Sequence, residues 1–225
     1  MEPLILYFVL FFPGVFSNGI SVDISSTGTI PFSAIRELGR TLTYTIPSLA
    51  LLWYLVFRVQ DRKELKAQDL FPAIKKPGKR DFFAFIIGIP GLILIGIVIS
   101  CLISFLSNYQ GLALPLKVEA PVGILGWAVM VFSCIGTGYL EEGYFRYYLT
   151  IKLESSLSSP VLRTMLSTVL FSLCHIYEGP WGILNAVLAG LLLSVLFIRF
   201  RALHGIAWAH SAYNVFVYIM GTVNS

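Results

Sequence analysis

Seven apolar stretches, each long enough to cross a bilayer as a helix, constrain this chain more than any other feature. They run over approximately 3–20, 41–58, 82–106, 122–145, 161–177, 181–198 and 203–221. A hydrocarbon core about 30 Å thick needs about 20 helical residues, and an open sheet cannot satisfy its backbone there. Of the 225 residues, 56% are hydrophobic and 12% charged, which excludes a soluble globular domain. The expectation is all-α: a polytopic transmembrane helical bundle of about seven spans, one integral membrane domain over 1–225, with a polar cavity in the later helices. The first apolar run, Pro3 to Phe16, follows Glu2 and not a basic n-region, so it reads as a span and not a cleaved signal peptide.

The placement of the basic residues gives an expected topology. With a cytoplasmic N-terminus, thirteen of the sixteen lysines and arginines fall on the inside, eight of them between Arg58 and Asp81. Only Arg36, Arg40 and Lys117 fall outside. The net charge of +4 therefore belongs to a solvated cytoplasmic loop, with a lipid-headgroup or peptide-docking patch as the secondary reading, and does not indicate nucleic acid. Residues 1–120, the N-terminal spans and that basic loop, carry no assignable motif. The three cysteines, Cys101, Cys134 and Cys174, are odd in number and lack paired spacing, so they read as buried inert thiols.

Within the fourth span, Glu141, Glu142 and Arg146 put three charges into six residues. Each costs about 2.5–3.5 kcal/mol at a bilayer centre on insertion scales, so the cluster calls for a function. Glu142 and Arg146 are four apart in the favourable order for a same-face pair. Glu141 lies about 100° round the helix and is left to meet another partner. Thr137 and Gly138, one turn earlier, leave space on its face.

The fourth and fifth spans are joined by a serine-rich turn, Ser155 to Pro160. Glu141 is fourteen residues before that turn and His175 fifteen after it, so an antiparallel hairpin sets them at nearly the same level. Phe171, one turn before His175, shares its face and is placed to hold the ring by packing. His210 and Asn214 share a face of the last span. Taken alone, such groups serve equally well as glue between helices. His210 lies only about 10 Å past its boundary and Glu141 about 20 Å past its own, so they meet only if the 146–160 hairpin tip projects into the cytosol. His204, beside Arg199 and Arg201, reads as interfacial.

Glu141-Glu142-xxx-Arg146, Phe171-xxx-His175 and His210-xxx-Asn214, in that order, resemble the three signature motifs of the type II CAAX prenyl endopeptidases and their bacterial relatives. That group is also called the CPBP or abortive-infection family of intramembrane proteases. The resemblance covers residues 121–221 and implies that this stretch is the catalytic core. It also implies eight spans where seven are drawn, and a membrane peptidase of a prokaryotic cell membrane with its active site toward the cytoplasmic side. The implied partners are the lipid bilayer and a peptide or lipid-modified protein substrate.

Peptide hydrolysis needs a base for water, donors for the oxyanion and a proton for the leaving amine. Resemblance and spacing together suggest Glu141 as base and His175 as the group that orients and polarises the same water. Glu142 and Arg146 are then supporting, and His210 and Asn214 donate to the oxyanion. No cofactor is favoured. The alternative is a zinc peptidase that uses Glu141, His175 and His210 as ligands, with Glu142 as base. The competing classes are a non-catalytic membrane scaffold or immunity protein of the same fold, and an ion or solute transporter. The aromatics Tyr144, Tyr147, Tyr148 and Trp208 read either as a groove for a lipid chain or as core and interface packing.

Overall fold

The computed structural model describes residues 2–21, 29–61, 76–106, 117–154 and 156–223. Arg62, Lys63, Lys66 and Lys75 of the basic loop, and Ser155 of the serine-rich turn, lie outside the described residues. In chain order come α1 (Glu2–Ser21), β1 (Thr29–Ile30), α2 (Ala34–Arg40), a π-helical stretch (Thr41–Thr45) and α3 (Ile46–Asp61). Then follow α4 (Lys79–Leu106), β2 (Lys117–Val118), α5 (Gly123–Glu142), a second π-helical stretch (Gly143–Tyr148) and α6 (Leu149–Glu154). The chain ends with α7 (Pro160–Leu173), a 3₁₀ turn (Ile176–Glu178), α8 (Gly179–Phe200) and α9 (Leu203–Val223). Each of the seven apolar stretches falls mainly on helix, and the described residues hold one strand pairing, parallel, of Thr29–Ile30 with Lys117–Val118.

Among the described residues, three helices are long and apolar enough to cross a membrane: Lys79–Leu106, Gly123–Glu154 and Ile176–Phe200. The second runs unbroken for 32 residues, about 48 Å at 1.5 Å per residue. That exceeds a hydrocarbon core by about 18 Å, the surplus needed for the 146–160 tip to project from one face.

Hydrogen bonds between loops and helix ends tie distant parts of the chain together. Phe32 N donates to Glu119 Oε2 (3.1 Å) next to the strand pairing. Asp81, at the start of α4, accepts from Gly205 N at the start of α9 (3.0 Å). At the N-terminus, the Tyr148 hydroxyl donates to Glu2 Oε1 (2.6 Å), Lys152 Nζ pairs with the same oxygen (2.9 Å), and the Tyr144 hydroxyl donates to Pro3 O (2.6 Å). This clasp holds α1 against the end of the long helix.

The core lies around the second π-helical stretch. All six of its residues, Gly143 to Tyr148, are buried, so the helix is enclosed on every side. Tyr144, Tyr147 and Tyr148 are core residues and do not line a groove. Packing of Phe11, Phe145 and Phe171 around them accounts for this, with ring centroids 4.8 Å apart for Phe11–Phe145 and 5.3 Å for Phe145–Phe171. Of the cysteines, Cys134 and Cys174 are buried, but Cys101 is exposed on α4, whose long apolar surface faces outward.

One boundary differs from the sequence reading in a way that matters. The fifth helix stops at Leu173, and His175 sits in the turn that follows, not within a span. Gly179 causes the reversal: its φ of 76° and ψ of −173° suit glycine, and Pro180 behind it opens α8.

Candidate active site

The long helix that begins with α5 supplies Glu141, Glu142 and Arg146, and α9 supplies His210 across a close helix crossing. A Cβ on Gly138 would run into the Ser211 hydroxyl and lie 3.0 Å from Ala207 O. Only a small residue permits that approach, which sets one turn of α9 beside the two glutamates.

His210 joins both carboxylates. Its Nδ1 lies 2.8 Å from Glu142 Oε1 and its Nε2 3.6 Å from Glu141 Oε2. A carboxylate accepts, so Nδ1 carries the proton of the shorter contact, and Nε2 is the nitrogen turned to Glu141. This contact also answers the depth mismatch, because His210 and the glutamate pair stand at one level.

Glu142 is fully buried and meets a second cation. Its Oε2 lies 3.1 Å from Arg146 Nε, an ion pair without hydrogen-bond alignment. Arg146 also donates to Gly190 O in α8 (3.2 Å), and its guanidinium stacks over Phe171 at 4.4 Å from the ring centroid. A charge this deep needs such partners, since removing one member of a buried pair costs about 3–5 kcal/mol. With His210 as imidazolium, two carboxylates face two cations and the cluster is neutral.

Phe171 links the three motifs. Beside Arg146, its ring touches His175 (centroids 4.8 Å) and meets His210 edge-on (5.9 Å, 75°). His175 Nδ1 lies 3.0 Å from Phe171 O, so it donates there and leaves Nε2 as the free ring nitrogen. Among the described residues, Glu141 has its ion-pair contact with His210, and none joins it to His175. Glu141 Oε2 is buried without a hydrogen-bond partner. Asn214, one turn past His210 on α9, is half-buried and has no side-chain hydrogen bond among the described residues. His204 takes Tyr139 as partner (2.9 Å) and stands apart from the cluster.

Three residues around the site were not singled out from the sequence. Glu178 Oε1 lies 4.0 Å from His175 Nε2, and Tyr44 and Tyr177 lie within electrostatic reach of Glu141. Glu178 had a readable signal, an acid three residues after a histidine and directly before Gly-Pro. Tyr44 had none, because it comes from the distant π-helical stretch before α3. Among the described residues, no group of three or more His, Cys, Asp or Glu side chains is arranged to hold a metal ion. The groove of about 330 Å³ between α1, α6 and α7 is lined by Glu2, Leu149, Lys152 and Leu170, away from the glutamates.

Residues 123–216 match the family model described as Type II CAAX prenyl endopeptidase Rce1-like. That range holds every side chain of the cluster from Glu141 to Asn214. No curated protein and no solved structure matches the chain.

Proposed function

We propose, from the match of residues 123–216 to the type II CAAX prenyl endopeptidase Rce1-like family model, that the chain is an intramembrane endopeptidase of that family. The observation that carries the reading is His210 in contact with both glutamates, with Phe171 joining it to His175 and Arg146. Motifs kept only as helix glue would not need a carboxylate oxygen buried beside a histidine nitrogen and left without a hydrogen bond.

Glu141 is the base. It takes a proton from water as the oxygen adds to the scissile carbonyl, and later returns that proton to the leaving amine as the C–N bond breaks. His175, with Nδ1 committed to the Phe171 carbonyl, presents Nε2 to the same water and fixes its direction. His210, as the imidazolium whose Nδ1–H is bound to the Glu142 carboxylate, donates from Nε2–H to the oxyanion together with the Asn214 amide. Arg146 balances the charge of Glu142 and takes no part in bond making. The substrate is a peptide that reaches the site from the membrane, with a lipid-modified C-terminal segment as the class the family name suggests. In this reading the N-terminus is cytoplasmic and substrate reaches the site from that side, as the distribution of lysine and arginine supports.

A panel of farnesylated and unmodified peptides, incubated with purified protein with and without chelator, tests the proposal. Cleavage that survives chelator supports it, and faster cleavage of the farnesylated peptides supports the lipid-modified class. Loss of cleavage on chelation, restored by zinc, would transfer the same residues to metal-dependent chemistry. Complete inertness toward the panel would favour a non-catalytic scaffold.

A further inference from the structure

We propose that Glu178, which no motif includes, is a positioning residue for His175: it fixes the ring and offsets the positive charge that gathers on Nε2 during turnover. The inference rests on the proteolytic reading above.

The geometry isolates one nitrogen. His175 Nδ1 is bound to Phe171 O, so any charge the ring gains is expressed at Nε2, and the carboxylate facing that nitrogen is Glu178 at 4.0 Å. As the water O–H bond breaks, its electron pair moves to the carbonyl carbon and its proton to Glu141. His175 accepts a hydrogen bond from the remaining O–H, and Glu178 stabilises the partial charge without taking a proton.

Glu178 is held for this purpose. It stands at the N-cap of α8, where the helix dipole favours a carboxylate. Its side chain folds over Gly182: a Cβ there would run into Glu178 Cβ and stand 2.8 Å from its Oε2. The space that lets the carboxylate lie where it does is therefore the absent side chain of Gly182. Around the turn, Tyr177 lies against Glu178 and within reach of Glu141 and Arg40, and Tyr213 of α9 lies in the field of Glu178.

Three variants test this. Glu178→Gln removes the charge, Gly182→Ala displaces it, and Glu178→Asp keeps it. The first two should lower kcat about tenfold with KM within about twofold, and Glu178→Asp should recover most of the loss. A second arm reads the ring directly. The chain has three histidines, so ¹⁵N-histidine labelling gives three rings, and the His175 signals are assigned by their absence in His175→Ala. In Glu178→Gln and Gly182→Ala the His175 Nε2 resonance should move while those of His204 and His210 stay. Unchanged kcat in both variants, or a His175 resonance identical to wild type, overturns the inference. If the wild type cleaves no peptide, the proteolytic reading fails by itself, and the resonance decides whether Glu178 acts on His175.

Discussion

His210 places Nδ1 2.8 Å from Glu142 Oε1 and Nε2 3.6 Å from Glu141 Oε2, so a single ring contacts two adjacent glutamates that sit in different surroundings. The carboxylate that also meets Arg146 is fully buried and electrostatically spent. The other keeps an oxygen without a hydrogen bond. Adjacent identical residues thus acquire distinct chemistry from the helix turn that separates them by about 100°.

Donation to an oxyanion predicts the behaviour of α9. Asn214→Ala and His210→Ala should each lower kcat by about 10²–10³, the usual cost of one such donor. Asn214→Ala should leave thermal unfolding in detergent unchanged, since the side chain has no hydrogen bond to lose among the described residues. A rise in KM alone, with kcat intact, would make the Asn214 contact one of uniform binding and not of the transition state.

Arg146 should matter for folding and not for bond making. Arg146→Met leaves the buried Glu142 carboxylate with His210 alone and should destabilise the protein by about 3–5 kcal/mol, read from denaturant unfolding in detergent. Arg146→Lys should rescue only partly, because an ammonium cannot lie flat on Phe171 and reach Gly190 O together. Full stability in either variant would contradict the packing described.

The α5–α9 crossing gives a steric prediction. Gly138→Val forces a branched side chain against Ser211 and Ala207 and should cost about 1–3 kcal/mol. Activity should fall with it, as His210 moves from the glutamates. Gly39→Ala, where a Cβ meets nothing within 4 Å, is the control and should behave as wild type.

The N-terminal clasp should respond to pH. The hydrogen bond from Tyr148, and then that from Lys152, hold the Glu2 carboxyl below its ordinary value, although partial burial opposes this. A depressed acid stabilises the fold above its unfolded pKa and loses that contribution as pH falls through the folded value. Glu2→Gln should therefore lower Tm at neutral pH, and the difference from wild type should close on acidification below about pH 4. A constant difference across that range would show that Glu2 acts by packing alone.

Much of this was legible in the letters. Apolar length gave the helices, and the spacings within each motif placed Glu142 on Arg146 and Phe171 on His175. What periodicity could not give was which pairs meet between helices. The expected partner of Glu141 was His175, reasoned from equal distance to a turn, yet its ion-pair contact is with His210, because Gly138 lets α9 come closer than a counting argument can know. The end of α7 was misplaced because the fifth apolar stretch was drawn through to residue 177, whereas the helix stops at Leu173 and a 3₁₀ turn leads into α8. Tyr144, Tyr147 and Tyr148 were open between groove and core, since aromatic residues serve both, and only the enclosing helices decide.

The most direct test compares wild type and Glu141→Gln on one peptide that the wild type cleaves, under single-turnover conditions, with unfolding in detergent measured on the same samples. The account predicts a loss of about 10²–10⁴ in the cleavage rate and an unfolding midpoint like that of wild type. Cleavage at the wild-type rate by a folded Glu141→Gln protein would contradict it.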